Sequence, residues 1–196
     1  MTLIGQLLYW LTMGLLVPVV ALLLMALLQA LLLAGANVSM GLERRRYAPE
    51  LDRLLSAPSL DKEALQRLRL PVGAPLAPTI SALLGLGADP KHAQRILSAL
   101  EIDHETRISA ARVLGRTGPM LGLMGTLIPL GPALLGLAEG DLQSLAENML
   151  VAFATTVIGL LIGALGFFVQ QSRQRWAAED MARAEYIAAA SAETET

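Results

Sequence analysis

The chain has no cysteine among its 196 residues, and only 4% of them are aromatic. Without thiols it can form neither disulfides nor thiolate-bound metal centres. Charge is missing in a more informative way. From Met1 to Leu42 there is no Asp, Glu, Lys or Arg, and Leu7–Leu33 reads LLYWLTMGLLVPVVALLLMALLQALLL. Two later stretches, roughly Gly118–Leu137 and Asn148–Gln170, are equally free of charged residues. Groups that would support catalysis are scarce as well. His92 and His104 are isolated histidines outside any ligand-spaced cluster, and read as solvated surface residues. No glycine-rich loop with a lysine is present to cradle a phosphate. These absences predict no metal, no cofactor, no nucleic-acid partner and no enzymatic activity.

Just over half of the residues are hydrophobic, and they sit in blocks rather than at the period of a soluble helix or strand. Three blocks are each about as long as the ~20 residues an α-helix needs to cross a bilayer. The fold class expected is an all-α membrane protein with three transmembrane helices over residues 7–34, 117–137 and 148–171. A helical cytoplasmic segment (36–116), a short external loop (138–147) and a cytoplasmic helical tail (172–196) complete the plan. Every Lys and Arg lies between Arg44 and Arg116 or in the tail, at Arg173, Arg175 and Arg183. The positive-inside rule therefore places both basic regions in the cytoplasm and the N-terminus outside. Ala34-Gly35-Ala36 has the form of a signal-peptide cleavage site. No basic n-region precedes it and the apolar run is too long, so the first block reads as a retained span.

Short helices with punctuation are expected in the long polar segment. One runs from near Leu42 to Leu55, and another covers about Asp61–Arg69. The prolines of Leu70–Pro78 mark a loop before one or two turns at Thr79–Leu86. Asp89-Pro90 reads as an N-cap with proline in the first helical position, opening a helix over 90–101. Asp103 reads as the cap of a further helix running on into the second span. Arg44-Arg45-Arg46 is accounted for by topology, and Ser191–Thr196 by a disordered end.

Inside the spans, small residues recur at steps of three and four. Gly115, Gly118, Gly122, Gly125, Pro129 and Pro132 form one stripe; Ala152, Thr156, Gly159, Gly163 and Gly166 form the other. Such stripes let backbones approach closely where lipid supplies no hydrophobic drive for association. They fit a hairpin within one chain or a ring of several copies, and two stripes in so short a chain favour the ring. Thr126, Thr155 and Thr156 bring hydroxyls into these spans. Each hydroxyl can bond back to its own helix, the commoner use, or line a wet path for an ion. No carboxylate accompanies them; Glu147 stands only at the outer end of the third span. An ion-coupled device needs an ionisable group within the membrane, so a partner would have to supply it.

Two segments carry a family resemblance. GPMLGLMGTLI at 118–128 and AFATTVIGLLIG at 152–163 resemble the APxLGLLGTVxG and ALxTTxxGLxxAI signatures of the MotA/TolQ/ExbB proton-channel family. Order, separation and the three-span plan are similar to its ExbB/TolQ branch. The resemblance implies a homopentamer around a pore, enclosing the single helices of a small ExbD/TolR/MotB-like dimer whose Asp carries the proton. It also implies an ion-driven motor in a bacterial or archaeal inner membrane that delivers work outside the cytoplasm. By position the pore-facing threonines map onto Thr126 and Thr156, with Thr155 beside them. Where the ExbB/TolQ branch has a Glu in its third span, this chain has Val151; Glu147 lies one turn further out. Pro129 and Pro132 also depart from the signature. A structural oligomer without conduction is the competing reading, and the choice between H⁺ and Na⁺ stays open.

Overall fold

After Leu33 the first block meets only glycines before Pro49, and the helix continues through that proline as well. In the computed structural model, which describes residues 3–56, 63, 65, 70, 74–85 and 90–193, α1 extends over Leu3–Leu55. The separate helix expected from near Leu42 is therefore the end of α1. Gly35 and Gly41 cost only about 1 kcal/mol each relative to alanine, too little to stop it. Of the helix expected at Asp61–Arg69, only Glu63 and Leu65 are described, both helical; the rest lies outside the described residues.

Helix α2, Leu76–Gly85, starts three residues before Thr79. Pro78 falls in its first turn, where the missing N–H has no partner to lose. Thr79 Oγ1 donates to the Pro75 carbonyl at 3.2 Å, holding that turn. Helix α3, Pro90–Glu139, merges the two helices expected there and passes through Pro119, Pro129 and Pro132. Asp103 is accordingly not a cap: it sits in mid-helix and accepts from Arg107 Nε, one turn on, at 2.8 Å. Asp89, the other expected cap, lies outside the described residues.

Helix α4, Leu142–Glu193, follows after only two residues. Residues 138–147, expected as a loop, are thus helical except for Gly140 and Asp141. Gly140 takes a left-handed φ of 80°, and Asp141 N–H donates to the Gly136 carbonyl at 2.8 Å, closing α3 with the usual glycine stop. Asp141 then caps α4, its Oδ1 accepting from Ser144 N–H at 3.0 Å. At the far end, Ser191 remains helical and its hydroxyl donates to the Ile187 carbonyl, and the helix runs through Glu193. Residues 194–196 lie outside the description. Among the described residues there is no strand, and three helices are long and apolar enough to cross a membrane.

The chain divides into two units. The first comprises Met1–Ala34 and Ala111–Phe168, the second Gly35–Ala110 and Val169–Thr196. In the first unit the buried cluster is small: Leu23, Ala26, Ala30, Leu114 and Ile162. The second unit has a larger aliphatic core of Leu51, Leu65, Leu76, Ile80, Leu83, Leu100, Ala184 and Ile187.

Candidate functional site

In the first unit the glycines of α3 and α4 face one another. A Cβ added at Gly159 would lie 2.6 Å from Gly122 Cα and 2.7 Å from the Gly118 carbonyl oxygen. One added at Gly166 would lie 2.5 Å from Gly115 N, and one at Gly163 would meet the Pro119 ring at 2.7 Å. The two backbones touch along this seam, and no side chain larger than hydrogen fits at those positions. Gly118, Gly122, Gly125, Gly159, Gly163 and Gly166 are brought together within one chain. Ala152 is buried on the same stretch of α4.

The threonines divide at this seam. Thr155 is buried in it, its Cβ 2.6 Å from where a Cβ on Gly125 would stand. The hydroxyl of Thr155 donates within its own helix, to the Ala152 carbonyl at 2.9 Å or the Val151 carbonyl at 3.0 Å. Thr156, counted with the small stripe in sequence, sits beside the seam and is half-buried. Its hydroxyl donates to the Ala152 carbonyl at 3.1 Å. Thr126, also half-buried, donates to the Leu123 carbonyl at 2.7 Å. Each of these donors is therefore satisfied locally, and each oxygen keeps lone pairs able to accept. Glu147 is exposed on the first turns of α4 and accepts from Gln143 Nε2 at 3.0 Å.

The second unit holds a polar cluster that was not legible in the sequence. Arg44 is not a solvated topology signal but buried, 7% exposed. Its two Nη atoms donate to Asp180 at 2.6 and 3.0 Å, and Nη2 also donates to Glu179 at 3.1 Å. The guanidinium lies 5.8 Å from the Trp176 ring centre. Burial alone would depress Arg44, but the bonds and charge of Asp180 outweigh it, and its pKa is raised. Arg45 and Arg46 are exposed. Arg183 reinforces the cluster: it lies 3.5 Å from Asp180 and grips Asp52 through Nε and Nη2 at 2.8 and 3.0 Å.

His104 corrects the sequence reading outright. It is buried rather than solvated, and its Nε2 stands 3.5 Å from Asp180 Oδ2 with no hydrogen-bond partner. Desolvation dominates there and lowers its pKa, against the pull of Asp180. Arg44 and Asp180 are 136 positions apart. No local pattern signals their meeting. Among the described residues no group of His, Asp and Glu is arranged to hold a metal.

No curated protein matches the chain. A model of the MotA/TolQ/ExbB proton channel family matches residues 75–185, more than half of the chain and both glycine-rich spans. With the three apolar helices this makes it a multi-pass membrane protein, and the chain belongs to the MotA/TolQ/ExbB proton channel family.

Proposed function

We propose that the chain is the pore-wall subunit of an ion-driven motor, of the three-span ExbB/TolQ type, in a bacterial or archaeal inner membrane. Five copies form the wall, with the N-terminus outside and the second unit in the cytoplasm. The pore encloses the single-span helices of a small Asp-bearing partner dimer. Thr126 and Thr156, with Thr155 behind them in the seam, border the path. Their hydroxyl hydrogens are committed to their own helices, so their oxygens face the path as acceptors, suited to a hydronium, a water chain or Na⁺. The partner's Asp carries the proton between the two sides, and cycles of charge and neutrality on it shift the ring against the dimer. Glu147 stands at the outer mouth, where a carboxylate raises local cation concentration.

The observation that carries this reading is the division of polar groups. The family match takes in both threonine-bearing spans, yet 117–137 and 148–171 contain no ionisable residue. A conducting device needs one at membrane depth, and a partner is the remaining source. The local bonding of all three hydroxyls favours the competing reading, a structural oligomer without conduction. Thr156→Val separates the two. Under the motor reading it abolishes coupled work while the oligomer and its partner still copurify. Full work in that variant removes Thr156 from the path, and the absence of any copurifying single-span protein with a membrane Asp returns the chain to a scaffold.

A further inference from the structure

The second unit encloses a cavity of about 220 Å³ between α1, α3 and α4. Its lining includes Arg44, Tyr47, His104, Arg107, Arg173 and Trp176. That volume is below the roughly 300–1,000 Å³ of pockets that hold drug-sized ligands, and suits a single headgroup-sized ion. The charges around it are unevenly matched. Arg44 is taken up by Asp180 and Glu179. Arg173 donates Nη1 to the Arg107 backbone carbonyl, and among the described residues no carboxylate pairs with it. Burial and the charge of Arg107 both depress the Arg173 guanidinium, as two cations facing one space would. His104 adds a buried ring nitrogen without a hydrogen-bond partner. Of the nearby acids, Glu43 is exposed, Asp180 is held by Arg44 and Asp103 pairs with Arg107 Nε at 2.8 Å, so the charge left unmatched is that of Arg173.

We propose that this cavity binds a phosphate oxyanion, held by Arg173 and Arg107 and accepting a further hydrogen bond from His104 Nε2–H. Guanidinium groups match phosphate oxygens in spacing and charge, and a neutral imidazole with its proton on Nε2 is a donor. A bound anion would remove the repulsion between the two arginines and satisfy the orphaned nitrogen in one step. The phosphate can belong to a lipid headgroup or be free in solution. The proposal does not depend on the ion pathway and is read without measuring conduction.

The test uses the full chain in neutral detergent with Trp10→Phe, leaving Trp176, on the cavity wall, as the reporter of the two tryptophans. Its fluorescence and thermal midpoint are titrated with inorganic phosphate and, separately, with a short-chain phosphatidylglycerol, against chloride at equal ionic strength. A saturable response to phosphate assigns a free anion, and one to the lipid alone assigns a headgroup. Arg173→Gln should weaken either by roughly tenfold or more, with Arg173→Lys in between. No saturable response to either ligand in the unsubstituted arginine background overturns the proposal, whether or not the variants fold. Equal binding by a folded Arg173→Gln overturns it too.

Discussion

The two units are built inside out relative to each other. In the second, leucine and isoleucine fill the interior and a buried ionic cluster ties α1 to α4. In the first, glycine, alanine and threonine make up most of the α3–α4 contact, with Ile162 set against Gly118, and most large apolar side chains point away from it. Among the described residues, all exposed large hydrophobics except Val38, Leu42, Ile102 and Tyr186 belong to this first unit. Water drives leucine inward; lipid is indifferent to it, so in the first unit contact is set by how closely backbones can approach. The same three long helices obey both rules along their length, switching near residues 34, 111 and 168.

This contrast can be broken from either side. The largest effect is expected in the second unit, where Asp180→Leu leaves buried Arg44 with only the exposed Glu179 as a counter-charge. Stability should fall by roughly 3–5 kcal/mol, measured as the thermal or denaturant midpoint of the purified chain. The same change at exposed Glu185 should have almost no effect. A loss no larger for Asp180→Leu would mean that the cluster is solvated. Next comes Gly159→Ala, whose methyl group meets backbone on α3; overpacking should cost about 1–3 kcal/mol and separate α3 from α4. Cysteine pairs placed across the seam would report the separation as lost crosslinking. Gly14→Ala, with open space around it, should be neutral or slightly favourable. Equal damage at both glycines would remove the distinction between seam and lipid face.

The smallest effect is the pH response of His104. Its folded pKa is lowered, so the folded state binds the proton less readily than the unfolded chain, whose His titrates near ~6.5. The His104 contribution is complete above that pH and is lost as pH falls through it toward the folded value, by at most about 1.4 kcal/mol per pH unit. His104→Leu should flatten the stability profile in that window. An unchanged slope would show that His104 exchanges protons as freely folded as unfolded.

Much of the first unit was legible because its signals are local. Absence of charge gave the spans, and steps of three and four gave the face on which Gly118, Gly122 and Gly159 lie. What the spacing could not settle is which of two adjacent threonines enters the seam. Thr155 and Thr156 are about 100° apart on a helix, and only the partner helix selects between them; Gly125 makes room for Thr155. In the second unit the important contacts are distant. Arg44 within an arginine triplet looks like a topology signal, and His104 on a polar helix looks solvated. Neither reveals that α4 continues past Gln170 and carries Asp180 to meet them. Asp103 misled for a related reason: an acid before a helical pattern resembles a cap, but the preceding helix had not ended.

In the function proposed above, this chain forms the wall of an ion path and lacks the group that carries the ion. Proton flux into sealed vesicles tests it most directly, comparing the chain alone with the chain reconstituted beside its single-span partner. Almost no flux is expected from the chain alone, and a flux with the partner that falls away when the partner's membrane Asp is replaced by Asn. Rapid flux from the chain alone, or flux that survives the partner's Asp→Asn change, would contradict it.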